Sequence, residues 1–222
     1  MPSRLEKMAK EWSVESKMGL GNRLRKMIYP PPPMRQRIAM ALYRIKVQVS
    51  RLEHMLCRLQ ERDKVLFEKV IDAQMAKDTA RATIYANEVA EIRKIAKTLL
   101  RAQLALEQIA LRLETIQELG DILVTMAPIV NVIKDLKKQL MGVVPEIAFE
   151  LSEIDELLHS VIIEAGEFTG HTVDFTIASS EAKKILEEAS VIAEQRMKEK
   201  FPELPSATSV SGEKLPTPPK QS

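Results

Sequence analysis

The segment IAMALYRIKVQVSRLEHMLCRL, residues 38–59, decides the fold because its apolar side chains recur at alternating steps of four and three. A mean spacing of 3.5 residues lines one side of a helix and is typical of a coiled coil or a long helical hairpin. After an interruption at Asp63, Leu66 and Val70 continue the same strip. The strip begins with Ile38, Leu42, Ile45, Val49, Leu52, Leu56 and Leu59.

A second strip with the same spacing predicts a partner helix. Its members are Ile92, Ile95, Leu99, Ala102, Leu106, Ile109, Leu113 and Ile116. We predict two long antiparallel helices, at about 34–77 and 79–126, with Asp78 or Thr79 as the N-cap of the second. The junction contains neither Gly nor Pro. A single continuous rod is therefore the alternative.

The rest of the chain is predicted to contain three shorter helices, at 129–141, 145–165 and 180–201. Pro128 is expected to end the second long helix, and Pro145 to open the fourth helix in its first turn. Residues 166–179 are interpreted as a linker with one extended stretch, and Ser179 or Ser180 as the cap of the last helix.

The composition favours an all-α protein with an uneven charge distribution. Aromatic residues make up 4% and there are 7 glycines in 222 residues, which argues against a sheet-rich fold. Residues 1–60 carry 13 Lys/Arg against 4 Asp/Glu, a net of +9, whereas residues 121–222 carry 10 against 17, a net of −7. The helical core is assigned to 34–165, and 180–201 to an acidic regulatory helix that could fold over the basic half.

The sequence contains no pattern that points to a catalysed reaction. There is no GxxxxGK[ST] loop, which argues against that route of nucleotide hydrolysis. His54 and Cys57 lie three residues apart on a helix, as do Glu156 and His159, but a zinc site needs three or four ligands and a di-metal bundle needs two such Glu/His pairs. We therefore expect no catalytic residue, no metal and no cofactor, and no enzymatic activity.

The sequence also predicts a cytoplasmic location. A lone cysteine fits a reducing compartment. No signal peptide is recognised, and no apolar run approaches the ~20 residues that a membrane-spanning helix needs.

Cations recur along the first long helix and form a row with few acids beside it. Arg37, Arg44, Arg51 and Arg58 recur every seven residues, and only Glu53 is acidic between residues 34 and 60. The full basic row is Arg35, Arg37, Arg44, Lys46, Arg51, Arg58 and Arg62. Such a row can be a solvated helix face, or it can contact anionic lipid headgroups, nucleic-acid phosphates or a neighbouring protein.

Residues 1–33 form an N-terminal segment that ends in a proline spacer, Pro30–Pro33. Its candidate amphipathic helix face carries Leu20, Arg23, Leu24, Arg25, Lys26, Met27 and Ile28. A basic amphipathic segment of this kind can lie in a membrane interface. A frayed, solvated terminus is the alternative.

The tail, residues 202–222, is rich in Pro, Ser, Thr and Lys, and we expect it to be disordered. The stretch Phe201-Pro202-Glu203-Leu204-Pro205 follows directly on the last predicted helix. Its prolines hold it extended, so two apolar side chains are preset to enter a groove at low entropic cost. A proline-rich tail without a binding role is the alternative.

Together these features resemble the ESCRT-III family of membrane-remodelling filament proteins over about residues 34–205. The shared pattern is a basic helical hairpin, shorter helices, an acidic C-terminal helix and a short tail motif. Within the family, the chain is most similar to the archaeal cell-division, CdvB-like proteins. The tail stretch resembles the proline-type motif that binds the MIT domain of the family's disassembling AAA ATPase. The resemblance implies that the contacts are Phe201, Pro202, Leu204 and Pro205.

The resemblance implies a filament that assembles from this chain and ESCRT-III paralogues, constricts and severs membranes in cell division and is taken apart by the AAA ATPase. It places the chain on the inner face of the cell membrane at the division site. Some family members end in a winged-helix-like domain, but 17 residues follow Pro205, so we expect none here.

The alternative is a coiled-coil DNA-binding or adaptor protein that uses the same basic row. Only Tyr43 is interleaved with the cations of the row. Proteins that bind single-stranded nucleic acid commonly stack bases on several aromatic side chains. We therefore expect no nucleic-acid partner.

Overall fold

A computed structural model of the protein describes residues 32–119, 122–169 and 175–202. Within these ranges it contains five helices and no strand, which confirms the all-α prediction. They are α1 (Met34–Met75), α2 (Thr79–Leu119), α3 (Ile122–Leu140), α4 (Pro145–Thr169) and α5 (Phe175–Lys200). The predicted amphipathic N-terminus and the tail beyond Pro202 lie outside the described residues.

The chain divides into two compact units between Arg37 and Ile38. In the first unit, the described residues are the end of the proline spacer and the first turn of α1. The amides of Gln36 and Arg37 donate to the carbonyl of Pro33 at 2.9 and 3.1 Å, which starts the helix directly after the prolines. The helical core described below belongs to the second unit.

The reversal between α1 and α2 is a tight turn built without glycine. The amide of Lys77 donates to the carbonyl of Gln74 at 3.0 Å, and that of Asp78 to Ala73 at 2.9 Å. This bond pair is the Schellman ending of a helix, which needs one residue in the left-handed region. Lys77 occupies that place with φ 59°. The Asp78 carboxylate then accepts the amide of Arg81 at 3.0 Å, which confirms Asp78 as the N-cap of α2.

Two ion pairs show that α1 and α2 run antiparallel. Lys46 near the start of α1 pairs with Glu114 near the end of α2 at 2.6 Å. Further toward the turn, Asp63 pairs with Arg93 at 2.7 Å. Because the partner's number falls as the α1 number rises, the chain forms a hairpin. The continuous-rod alternative is wrong for this structure.

The predicted apolar strips form the buried seam of this hairpin. Burying each large aliphatic side chain contributes roughly 1.5–3 kcal/mol, so this seam is the main stabilising feature of the pair. The fully buried side chains of the two strips include Ile38, Ile45, Leu52, Leu99, Leu106, Ile109 and Leu113.

Pro128 lies inside α3, as its seventh residue, so the prediction that it ends the second long helix is wrong. The second long helix ends earlier, at Leu119, and the third begins at Ile122 rather than at residue 129. A proline in a helix interior costs about 3 kcal/mol, because it removes a backbone hydrogen bond and crowds the preceding turn. Burial of the residues around it offsets that cost. They are Met126, Ala127, Ile129, Val130, Val132 and Ile133.

Helix α4 begins at Pro145 as predicted but extends to Thr169, beyond the predicted end at 165. Helix α5 begins at Phe175, so Ser179 and Ser180 lie within it and do not cap it. Only residues 170–174 lie between the two helices, so the linker predicted at 166–179 is too long. The sequence signals of the linker misled because Gly166 is tolerated inside α4, although glycine lowers helix propensity.

Helix α5 lies antiparallel along α2. Arg112 pairs with Glu181 at 3.9 Å near the start of α5, and Lys97 pairs with Glu194 at 2.9 Å near its end. Helix α5 therefore covers the hairpin on its α2 side. It carries five Glu and five Lys/Arg, so it has no net charge and the prediction of an acidic helix is wrong. Its buried face carries Ala182, Ile185, Leu186, Ala189 and Ala193.

Candidate functional site

Four cations of the basic row are exposed and have no ion pair among the residues that the structure describes. These are Arg35, Arg51, Arg58 and Arg62. Fully solvated guanidinium groups on one helix are available to an anionic surface or partner. The structure places these four as the sequence predicts, and it does not test what they bind.

Arg44 and Lys46, in contrast, are engaged within the chain. Arg44 Nη1 donates to Glu153 of α4 at 2.6 Å, and Lys46 pairs with Glu114 of α2. Both pairs are largely exposed, so each contributes under about 1 kcal/mol. They remain exchangeable for an external anion, but at the cost of a contact within the protein.

Arg37 departs from the predicted exposed row because its residue is only 5% exposed. Its Nε donates to the carbonyl oxygen of Pro32 at 3.0 Å. Burial lowers the pKa of this guanidinium below its usual range, since desolvation disfavours the charged form. In this conformation Arg37 is bonded to the proline spacer and does not present its charge to solvent.

A basic groove opens beside Arg58 and Arg62 where the hairpin meets the turn between α3 and α4. Its volume is about 670 Å³. Lys94 adds a third cation and pairs at 3.6 Å with Glu91, the one acid among the lining residues. The apolar lining consists of Met55, Leu59, Ile95, Leu99, Val143 and Val144. Sequence analysis missed this groove because its walls come from three separate segments.

The outer side of α4 forms an acidic face that also carries exposed apolar side chains. Phe149 is 64% exposed, an unusual fraction for a phenylalanine. Steps of three and four along a helix place residues on one side, opposite the buried Leu151 and Leu158. The acidic face comprises Glu146, Phe149, Glu153, Glu156 and Ile163.

One buried ion pair crosses the hairpin near its middle. The Arg93 guanidinium donates to both carboxylate oxygens of Asp63, at 2.7 and 3.0 Å. The Asp63 side chain is 4% exposed and that of Arg93 18%. The interruption of the apolar strip at Asp63 was the sequence signal for this contact, but its partner could not be identified from spacing alone.

Phe201, the first residue of the tail motif, packs at this same pair. Its ring centroid lies 5.9 Å from Arg93 Cζ, and the ring of Phe67 lies at the same distance. Phe201 is 6% exposed, while Pro202 is exposed at a neighbouring cavity of about 550 Å³ lined by Phe67 and Ile71. Leu204 and Pro205 lie outside the described residues, as does the amphipathic face from Leu20 to Ile28.

An exposed ion pair joins the end of α5 to α2. Lys97 donates to the Glu194 carboxylate at 2.9 Å. This hydrogen bond and the charge of Lys97 lower the pKa of Glu194, with a smaller contribution from Lys198. The contact is therefore sensitive to salt and to acid.

Within the described ranges, no group of three or more His, Cys, Asp or Glu side chains could bind a metal ion. None of the helices seen there is both long enough and apolar enough to span a bilayer.

The chain is similar to three cell division proteins of Sulfolobus acidocaldarius. Cell division protein B1 is 54% identical over 187 residues, which cover 84% of this chain and 87% of the relative. Cell division protein B is 43% identical over 73% of this chain and 62% of its own length, and cell division protein B3 is 29% identical over 74% and 90%. No protein-family model and no solved structure matches the chain.

The chain belongs to the CdvB-like branch of the ESCRT-III family. The family resemblance is thereby confirmed. The CdvB-like chain shows the hairpin with α5 folded back, and with Phe201 buried.

Proposed function

We propose that this CdvB-like protein is a filament-forming subunit that remodels and severs membranes in cell division, without catalysing a reaction. The observation that carries the proposal is the return of α5 onto α2 while Arg51, Arg58 and Arg62 of α1 stay exposed. The names of its relatives support the cell-division role.

In the proposed cycle, the structure corresponds to a closed subunit. The exposed ion pairs Lys97–Glu194 and Arg112–Glu181 each contribute little, so the buried apolar face of α5 is the main interaction that release must overcome. Release uncovers the α2 side of the hairpin for neighbours, either copies of this chain or ESCRT-III paralogues. The switch is thus a population shift between two states of one chain.

Membrane attachment requires many subunits at once. Each exposed cation near an anionic surface contributes about 1 kcal/mol, so the exposed arginines of α1 bind only weakly in a single subunit. Linking subunits in a polymer multiplies these contacts and converts weak attachment into stable attachment. We place the protein on the inner face of the cell membrane at the division site.

The tail provides the proposed handle for an AAA ATPase, whose MIT domain binds Phe201, Pro202, Leu204 and Pro205. Since Phe201 is buried at Arg93 in the closed chain, its release must accompany binding. Replacing Leu204 and Pro205 with Ala should abolish MIT binding in a calorimetric titration. The same replacements at Leu215 and Pro216 serve as the control, and unchanged affinity of the first variant contradicts the assignment.

The filament proposal is tested by reversing two charges of α5. Glu181→Lys with Glu194→Lys repels Arg112 and Lys97, so α5 is released and assembly on anionic liposomes increases, as seen by sedimentation and electron microscopy. Glu187→Lys with Glu188→Lys changes the net charge equally on exposed residues that have no ion pair in the described structure. That control should behave as the wild type.

Failure of both wild type and released variant to assemble or to bind lipid contradicts the proposed function. A gel shift with DNA that weakens steeply with salt, without lipid binding, favours the DNA-binding alternative instead.

A further inference from the structure

We propose that the basic groove receives the acidic face of α4 from a second copy of this chain, and that this head-to-tail contact extends the filament. The inference rests on the proposed polymer-forming function and identifies the surfaces that perform it. It assigns Arg58 and Arg62 to a neighbouring subunit rather than to the membrane.

The groove is unusual in combining an apolar floor with uncompensated positive charge. Leu59 and Ile95 are seam residues, yet both remain only half-buried because the seam opens there. Glu91 offsets Lys94, but Arg58 and Arg62 have no acidic partner among the described residues. An occupant that both fills the floor and carries negative charge satisfies the two features together.

The acidic face of α4 has the complementary pair of features. Phe149 projects a ring that is 64% exposed, so most of its apolar area is still available to be buried in a pocket. Glu146 and Glu156 lie on the same side of the helix and have no ion pair in the described part of the chain. Glu153 between them is already neutralised by Arg44. Two free carboxylates therefore flank the ring, matching two free guanidinium groups beside the groove.

The geometry makes the contact head-to-tail. The groove is lined by Gly142, Val143 and Val144, directly before α4, whereas Phe149 projects to solvent from α4 itself. The two surfaces are different parts of the molecule, so each copy offers one of each. Contacts between unlike surfaces propagate and give open filaments unless the rotation closes a ring.

A flat membrane surface fits the groove less well than a helix from a second copy. Lipid headgroups can reach exposed cations, but the apolar floor lies in a recess that only an inserted side chain or a single acyl chain can enter. The acidic face supplies such a side chain together with the required negative charge. Lipid binding in the groove is therefore the competing outcome of the experiments below.

The first experiment is a charge swap under conditions in which the wild type forms filaments. Arg58→Glu with Arg62→Glu should raise the critical concentration for assembly about tenfold or more, as should Glu146→Arg with Glu156→Arg. Combining the four changes restores attraction with reversed signs, so assembly should recover. Sedimentation without lipid, with circular dichroism to verify folding, provides the readout.

Mixing the two charge variants gives a sharper test of a head-to-tail contact. The acidic face of the groove variant matches the unchanged groove of the face variant, and the reversed groove matches the reversed face. Neither variant should assemble alone, but a 1:1 mixture should form filaments in which the two variants alternate, as measured by sedimentation and electron microscopy. A mixture that stays monomeric under conditions in which the wild type polymerises would overturn the inference.

The second experiment fills the groove without changing charge. A Cβ at Gly142 would meet nothing within 4 Å, so Gly142→Trp can place a ring at the groove while the fold is kept. Assembly without lipid should be lost, while the weak binding of the monomer to anionic liposomes should equal that of the wild type below its critical concentration. If the variant assembles normally but loses liposome binding, the groove binds lipid and the inference is wrong.

Different results would contradict the proposed function and the inference about the groove. A wild type that never polymerises contradicts the proposed function, and the inference with it. A wild type that polymerises, together with groove and face variants of unchanged critical concentration, overturns only the inference.

Discussion

Helix α2 packs against α1, α3 and α5, and its contacts with α1 and α5 are stabilised by different interactions. Toward α1 it presents large aliphatic side chains and the buried, bidentate Asp63–Arg93 pair. Toward α5 it meets a face in which three alanines accompany Ile185 and Leu186, and its ion pairs there, Lys97–Glu194 and Arg112–Glu181, are exposed.

The difference predicts which contact opens first. A buried alanine removes far less apolar surface from water than leucine or isoleucine, at roughly 0.8 kcal/mol per CH₂. Exposed ion pairs add under about 1 kcal/mol each and weaken with salt. Helix α5 should therefore detach as a local unit at a lower free energy than the opening of the hairpin.

Breaking the hairpin's buried pair should have the largest effect. Asp63→Ala leaves the Arg93 guanidinium largely buried without a counter-ion, which should cost about 3 kcal/mol of unfolding free energy. Urea denaturation measures it. The double variant Asp63→Leu with Arg93→Leu should lose much less, because no buried charge then remains unpaired. Equal losses for the two variants would show that the pair itself stabilises the hairpin.

Truncating an α5 core residue should loosen α5 alone. Ile185→Ala removes fully buried methyl groups and should cost about 2 kcal/mol at that contact. Amide hydrogen exchange should accelerate across Phe175–Lys200 and stay unchanged along α1. Val191→Ala, at an exposed position of the same helix, is the control. Equal acceleration in α1 would mean that the two contacts open together.

A substitution in the turn of the hairpin should have a smaller effect, and it should stabilise the protein. A non-glycine residue in the left-handed region costs about 1–2 kcal/mol, and Lys77 bears this cost at φ 59°. Lys77→Gly removes it, while the added freedom of the unfolded chain subtracts about 0.5–1 kcal/mol. The net gain, about 0.5 kcal/mol, should appear as a higher urea midpoint. Lys77→Ala should show no gain. A gain in this variant would contradict the explanation that glycine relieves backbone strain at this position.

Acid should produce the smallest effect, confined to the α5 contact. The pKa of Glu194 is lowered in the folded chain from 4.5, chiefly by its hydrogen bond from Lys97. Its stabilisation is therefore complete above pH 4.5 and is lost as pH falls through the lowered value. Hydrogen exchange near the end of α5 should accelerate in that window. Glu194→Gln should abolish this dependence and Glu188→Gln should not.

Regular periodicity made most of the fold predictable. The strips from Ile38 and Ile92 located the hairpin, and Asp78 located its turn, because seams and caps depend on residues a few positions apart. The prediction for Pro128 was wrong because burial of its neighbours offsets the cost of a proline inside a helix. That burial depends on segments that are distant in sequence. The start of α5 was missed for a related reason, since the four residues before Ser179 and Ser180 also belong to the helix.

The surfaces were predictable only in part. Spacing identified the basic row, but it could not show that Arg37 is buried or that Arg44 reaches Glu153, more than a hundred residues away. The groove beside Arg58 and the exposed ring of Phe149 depend on where the α3–α4 turn meets the hairpin. Such sites arise from tertiary packing, which no local pattern encodes.

The Asp63–Arg93 pair also fixes how far the two helices of the hairpin overlap. Sliding α1 along α2 by one heptad would bury a carboxylate opposite an aliphatic side chain, so a single alignment of the two helices is favoured. The hairpin therefore has one fixed length. In a filament of the proposed kind, every subunit added then advances the growing end by the same step.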